Sequence, residues 1–242
     1  MRLARAWLVV LAALFSACGS SPSAPTVPGA APPQRLAVLG DSLAVSPSIE
    51  QAFPARLQAR LDDQRLPWTV VNAGVSGDTT ADGLRRAPQM LAGDIALLVV
   101  ELGANDGLRG LPIGMTADNL AAIIGEAQRR HVRVLLCGME TPPTHGLDYS
   151  IAFHQIYPNV AARTSVPLVP FLLAGIAFDP RFTGPDGVHP NAAGAERIVD
   201  TVWPYLRPLL SVPYATTRVG SATTKISTIV SPMTLNPRID IS

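Results

Sequence analysis

The chain has 242 residues, of which 48% are hydrophobic, and this is enough for one α/β domain with a full core. Its formal net charge is only +1. Nucleic-acid binding usually requires a basic patch, so we expect no nucleic-acid partner.

The first residues have the pattern of an export signal. Arg2 and Arg5 precede an apolar stretch from Ala6 to Phe15, and Ser16-Ala17-Cys18 follows. A basic start, a short apolar run and small residues are typical of a cleaved signal peptide. The run is too short for a membrane span, which needs about 20 residues. We therefore predict a signal peptide at 1–18 and an exported protein, in the periplasm or anchored to a membrane of a bacterial cell envelope.

Cys18 is a candidate lipidation site. A cysteine directly after two small residues resembles a bacterial lipobox, although Phe15 stands where leucine is usual. Cleavage by the general signal peptidase is the alternative. Residues 19–34 are rich in Pro, Ser and Ala, so they cannot bury enough surface to fold. We expect a linker there, serving as a tether or as a disordered spacer. Without Cys18, Cys137 has no partner, and we expect it in the core.

Apolar runs alternate with helical patterns through residues 35–210, which we predict to be one folded domain. The runs are typical of strands covered on both faces, and they are Leu36–Leu39, Thr69–Asn72, Ile95–Leu102, Val132–Cys137 and Pro167–Pro170. The helical patterns are Ile49–Leu61, Thr79–Leu91, Thr116–Arg130, Tyr149–Thr164 and, roughly, Asn191–Leu209. Repeated β-α units predict a five-stranded parallel sheet in a three-layer α/β/α sandwich.

Two further features bear on the boundaries of these elements. Pro158 and Pro204 would kink or restart the helices that contain them. Residues 211–242 are rich in Thr, Ser, Val and Ile, and we place them outside the domain. They could form a loose extension or a short edge strand, and their role is not apparent from the sequence.

Small or polar residues follow four of the predicted strands. Ser42 follows the first strand, Gly74 the second and Asn105 the third, while the loop 186–189 follows the fifth. In open parallel sheets, ligands bind beyond the carboxyl ends of the strands. The four segments are therefore expected to converge on one site.

Ser42, Asp186 and His189 are the residue types that serine hydrolases use. A serine attacks a carbonyl carbon when a histidine takes its proton and a carboxylate orients that histidine. Asp186 lies three residues before His189 in a turn-rich loop, where its carboxylate can reach Nδ1. Gly40-Asp41-Ser42 taken alone is equally compatible with a helix cap.

Gly74 and Asn105 are candidate donors to a developing oxyanion. A glycine after a strand lets its N–H approach a ligand closely, and the Asn105 amide can also donate. The alternatives are a tight strand-to-helix turn at Gly74 and a turn at Asn105-Asp106. Ser76 is a rival nucleophile but lies in no Gly-x-Ser-x-Gly elbow. No pair of histidines has metal-ligand spacing, so we assign no metal.

These segments, in this order, resemble the four blocks of the SGNH or GDSL hydrolases. The blocks are named for Ser, Gly, Asn and His, which match Ser42, Gly74, Asn105 and His189. The resemblance covers about Arg35 to Leu210. Within it, three segments resemble the bacterial multifunctional arylesterase, acyl-CoA thioesterase and lysophospholipase subgroup, namely Val71–Thr80, Val100–Gly110 and Ile156–Pro158.

The resemblance implies a flavodoxin-like domain without cofactor, and a serine esterase that hydrolyses carboxylic esters or thioesters through an acyl-serine. Ser42 would be the nucleophile, His189 the base and Asp186 its orienting group. The oxyanion would be held by the Ser42 and Gly74 N–H groups and by the Asn105 side chain.

An acyl groove beside the third block is also implied, with Gly107, Leu108 and Pro112 as candidate contacts. Ala104 replaces a glycine of the family pattern, and residues 140–145 differ from the subgroup's usual loop. Both departures leave the preferred acyl-chain length open.

Two alternative functions remain at this point. The same residues can serve a carbohydrate or cell-wall O-acetylesterase, and a non-catalytic ligand-binding lipoprotein is the other alternative. For the leading function we expect a small acyl ester, thioester or lysophospholipid as substrate. We also expect a monomer, with a possible membrane tether through a lipidated Cys18.

Overall fold

The computed structural model describes residues 33–211. The predicted signal peptide 1–18 with Cys18, most of the linker 19–34 and the extension 211–242 beyond its first residue lie outside this range. Within it, no helix combines the length and the apolar character that crossing a membrane requires.

A parallel sheet forms the centre of the domain. Its strands are β1 (Gln34–Gly40), β2 (Trp68–Gly74), β3 (Ile95–Glu101), β4 (Arg133–Cys137) and β5 (Leu168–Val169). They lie in the order β2-β1-β3-β4-β5, and every neighbouring pair is parallel. Successive residues of a strand point to opposite faces, so the burial of every residue of β3 means that both faces are covered. The predicted α/β fold is confirmed.

Helices connect the strands and supply the outer layers. They are α1 (Phe53–Asp63), α2 (Thr80–Met90), α3 (Ala104–Leu108), α4 (Ile113–Arg129), α5 (Leu147–His154), α6 (Ile156–Thr164) and α7 (Ala192–Leu210). The first and last of these contact each other, whereas α4 contacts α2, α5 and α6. The buried side chains of both groups join those of the sheet in one hydrophobic core, which includes Cys137 as predicted.

The helix pattern differs from the predicted one in three places. The expected helix at Tyr149–Thr164 is two helices, α5 and α6, separated at Gln155. Pro158 lies in the first turn of α6, where its missing N–H costs no helical hydrogen bond. Pro204, by contrast, lies within an uninterrupted α7. The five-residue α3 was not predicted, because one helical turn is too short to show a periodic pattern.

The strands that precede the site end at the same level. Gly40, the last residue of β1, is paired with Gly74 at the end of β2 and with Glu101 at the end of β3. A Cβ on Gly40 would lie 2.3 Å from Glu101 Oε2, so no larger residue fits there without movement. The segments that follow these strands therefore leave the sheet at one rim.

Candidate active site

Ser42, His189 and Asp186 form one chain of hydrogen bonds at this rim. His189 Nε2 lies 2.8 Å from Ser42 Oγ, and His189 Nδ1 lies 2.5 Å from Asp186 Oδ2. With the proton on Nδ1 donated to Asp186, Nε2 can accept the proton of the Ser42 hydroxyl. The structure thus brings the three residues together in the order that the sequence predicts.

Asp41 fixes the position of Ser42. It is the N-cap of a short 3₁₀ helix, Ser42–Ala44, and its Oδ1 accepts the Leu43 N–H at 3.0 Å. Helix capping and a serine at the site were alternatives in the sequence, and here both hold. Asp41 supplies the cap, so the Ser42 hydroxyl stays available to His189.

Asp186 is held by its own loop as well as by His189. Its Oδ1 accepts the N–H groups of Val188 and His189, each at 3.0 Å. The loop is closed by the bond from Gly184 N–H to His189 O, at 2.8 Å. The hydrogen bond to the His189 side chain, helped by the Val188 N–H, lowers the pKa of Asp186 to about 2. Asp186 is therefore ionised at neutral pH and can orient the imidazole.

The Asn105 side chain lies at the same rim, in α3. Its Nδ2 donates to Asp78 O at 3.0 Å and to Asp41 Oδ2 at 3.2 Å. Asn105 lines a cavity of about 490 Å³ together with Ser42 and His189. The amide is thus fixed beside the serine, as an oxyanion donor must be.

Gly74 does not occupy the predicted place. It is the last residue of β2, its N–H donates to Asn72 Oδ1 at 2.9 Å, and it does not line the cavity at Ser42. Because Gly74 does not line the cavity at Ser42, and its N–H is bonded to the neighbouring Asn72 side chain, the prediction that Gly74 is an oxyanion donor is wrong.

Gly77 lies where Gly74 was expected. It lines the cavity beside Ser42 and has a φ of 82°, which glycine adopts readily. Within residues 33–211, neither its N–H nor that of Ser42 has a hydrogen-bond partner. The sequence did contain a signal for this, because Gly77 is a second glycine three residues after the end of β2, in the loop that lines the cavity at Ser42.

Two buried carboxyl groups lie beneath the serine. Glu101 is fully buried at the end of β3, and its Oε2 accepts the Asp41 N–H at 3.2 Å. Burial, and then the Asp41 charge, raise the pKa of Glu101 well above its ordinary value. Burial likewise raises the pKa of Asp41 to about 6, because it outweighs the bonds from Leu43 and Asn105. Glu101 was not singled out in the sequence, where it closes an apolar run.

An apolar cavity of about 340 Å³ adjoins the cavity at Ser42. The two share Leu43, Ala104, Leu108 and Val188, and the apolar one continues towards Met139, Phe171, Leu173 and Phe178. Of the predicted acyl contacts, Leu108 lines both cavities. Gly107 is buried against Phe153 and Pro112 precedes α4, and neither lines either of these two cavities. The apolar space therefore meets the predicted 107–112 loop at Leu108 and is lined beyond it by Met139, Phe171, Leu173 and Phe178.

His145 and His154 each contact a group outside the triad. His145 Nε2 lies 3.0 Å from Leu108 O, and His154 Nδ1 lies 2.5 Å from Glu140 Oε1. Within residues 33–211, no group of three or more His, Cys, Asp or Glu side chains is arranged to hold a metal ion.

The parallel sheet, with serine, histidine and aspartate joined at its rim, defines a hydrolase of the SGNH type. The GDSL-like Lipase/Acylhydrolase family matches residues 38–197, and the chain belongs to this family. The predicted family is thereby confirmed.

Individual relatives agree with this assignment. Esterase TesA of Pseudomonas aeruginosa is 43% identical over 180 residues, which cover 73% of this chain and 90% of that protein. Thioesterase 1/protease 1/lysophospholipase L1 of Escherichia coli K12 is 36% identical over 185 residues, covering 75% and 88%. A crystal structure of TesA matches with a TM-score of 0.70 at 42% identity, covering 73% and 99%. The chain is an ester-hydrolysing enzyme.

The raised pKa of Asp41 predicts a pH-dependent stability. The folded protein holds the Asp41 proton up to about pH 6, whereas the ordinary pKa is 3.8, so folding binds a proton between these values. Its contribution to the free energy of unfolding is therefore greatest below pH 4 and is lost as the pH rises through 6. Asp41→Asn removes this titration. The stability of the wild type relative to the variant should fall by up to about 3 kcal/mol between pH 4 and pH 7.

Urea unfolding of both proteins at the two pH values measures this difference. The Asp186 carboxylate is present in both, so its opposite contribution cancels. The Asp41 charge also helps to raise the pKa of Glu101, so the difference reports the titration of these two coupled groups. Parallel pH dependences would show that Asp41 titrates normally in the folded protein.

Proposed function

We propose that the enzyme hydrolyses carboxylic esters or thioesters through an acyl-serine formed on Ser42. The observation that carries the proposal is the 2.8 Å contact between His189 Nε2 and Ser42 Oγ. The proposal is also supported by the ionised Asp186, which contacts His189 Nδ1. Its negative charge stabilises the imidazolium that forms when His189 takes the serine proton.

In the first half of the reaction, Ser42 Oγ bonds to the carbonyl carbon while its proton moves to His189 Nε2. The carbonyl oxygen becomes an oxyanion, facing the Ser42 and Gly77 N–H groups and the Asn105 amide. The Asn105 bond to Asp41 is the longer of its two, at 3.2 Å, and is the one that an oxyanion can share. Collapse of the intermediate expels the alcohol or thiol, which takes the proton from His189.

In the second half, water replaces the leaving group. His189 removes a proton from that water, whose oxygen attacks the acyl carbon, and Ser42 leaves with the proton that His189 returns. The three N–H donors face the oxyanion again. One such donor contributes roughly 2.7–4 kcal/mol in the transition state of related chemistry.

The adjoining apolar cavity supports an acyl chain as the group carried by Ser42. Ligand sites bury most of an apolar group's surface against apolar side chains, and this cavity offers Leu43, Met139 and Leu173 for that purpose. An acetyl group would leave it unfilled, which favours fatty acyl esters, thioesters or lysophospholipids over O-acetylated glycans. The names of the relatives, esterase and thioesterase/lysophospholipase, belong to the same substrate class.

The nucleophile is tested by Ser42→Ala. We expect the variant to lose hydrolysis of p-nitrophenyl esters by more than about 10³-fold and to lose labelling by a fluorophosphonate, because Ser42 carries the hydroxyl that contacts His189. Ser46→Ala and Ser76→Ala are matched controls, since both residues line the same cavity. These controls should keep their labelling. Activity that survives Ser42→Ala but is lost in Ser76→Ala would overturn the assignment.

Export and lipidation form a separate part of the proposal, supported by the Arg2 to Cys18 pattern. We propose that the full-length chain is exported, cleaved before Cys18 and lipidated on its thiol. When it is expressed in bacteria fed an alkyne fatty acid, the wild type should carry the label in the membrane fraction and Cys18→Ser should not. Cleaved, unlabelled wild-type protein in the periplasm would instead identify ordinary signal-peptidase cleavage.

A further inference from the structure

Phe178 has an unusual backbone conformation for its size. Four non-glycine residues within 33–211 have a positive φ, and three of them, Arg65, His131 and Ser165, lie one or two residues after the end of a helix. A left-handed residue is common at a helix end. Phe178 has a φ of 61° and lies between β5 and α7, where no α-helix ends. A bulky residue in this region is an outlier, and such strain often accompanies function.

The loop that carries the catalytic histidine holds Phe178 in place. The Phe178 N–H donates to Gly187 O at 2.8 Å, and Gly187 lies between Asp186 and His189. A Cβ on Gly187 would lie only 3.2 Å from Phe178 Cδ1, so the ring rests against this glycine. The position of the ring is thus fixed relative to the site.

The Phe178 side chain is nevertheless exposed. It lines the apolar cavity, yet 67% of its surface is open to solvent, and Leu108, which lines the same cavity, is 46% exposed. Two large apolar side chains beside one apolar cavity leave hydrophobic surface that a ligand chain can cover. Burying such surface is favourable in proportion to its area.

The two cavities also give an order of contacts along a bound acyl chain. Atoms next to Ser42 first meet Leu43 and Val188, which line both cavities, whereas Phe178 lines only the apolar one. Phe178 is therefore the contact expected for a chain long enough to pass Leu43 and Val188.

We propose that Phe178 determines acyl-chain specificity by covering the distal part of a chain bound in the apolar cavity. This rests on the proposed esterase function and adds to it a preference for medium or long acyl groups. The ring is proposed to contact the bound acyl chain. The hydrogen bond from the Phe178 N–H to Gly187 O is made by the backbone, so it can form whatever side chain is present.

The test compares wild type, Phe178→Ala and Phe178→Leu on p-nitrophenyl acetate, butyrate and octanoate. Phe178→Ala should lower kcat/KM for octanoate by about 10-fold, mainly through KM, and leave acetate unchanged. Phe178→Leu keeps an apolar side chain and should recover part of the octanoate activity. Leu147→Ala is the matched control, since Leu147 is also 67% exposed but lines neither cavity, and its profile should not change.

Each other outcome has a definite meaning. Equal losses on acetate and octanoate would show that the ring only steadies the His189 loop, and an unchanged profile in both variants would show that it has no role; either result overturns the inference. If Phe178→Ala does not fold, Phe178→Leu with an unchanged profile also overturns it. A wild-type protein that hydrolyses none of the esters would instead refute the proposed function.

Discussion

The active site depends on one hydrogen bond, between His189 Nε2 and Ser42 Oγ, which joins residues 147 positions apart in the chain. It forms because β1 ends at the same rim as the segment that follows β5. The cap at Asp41 fixes one partner, and the two N–H bonds to Asp186 fix the other. Ser42 and His189 are thus both positioned by hydrogen bonds of their loops, and the sheet brings those loops together.

Carboxylates at this rim divide into two kinds according to what surrounds them. Asp186 lies in an exposed loop and receives hydrogen bonds, which lower its pKa and keep it charged beside His189. Asp41 and Glu101 lie under the serine, where burial raises the pKa of each. The carboxylate that contacts His189 is thus in the loop, whereas the carboxyl groups beneath the turn hydrogen-bond its backbone.

Much of this could be predicted from the sequence. Continuous apolar runs predict buried parallel strands, and the residues after them, Ser42, Asn105 and His189, lie at the rim because parallel strands end together. Gly77 was missed because the choice between two nearby glycines depends on which N–H the strand end already uses. Glu101 was missed because a buried acid at the end of a strand has no periodic signature. The direction of the apolar cavity could not be predicted, since residues from five separate segments form its wall.

The most direct test of the central claim is to identify the acylated residue. A p-nitrophenyl ester mixed with the wild-type protein and quenched in acid within the first turnovers should leave an acyl group, and peptide mass spectrometry locates it. The account predicts the acyl mass on the peptide containing Ser42, at the hydroxyl that contacts His189. The claim would be contradicted if the acyl mass were found on Ser76, or if product formed while no acylated peptide could be detected.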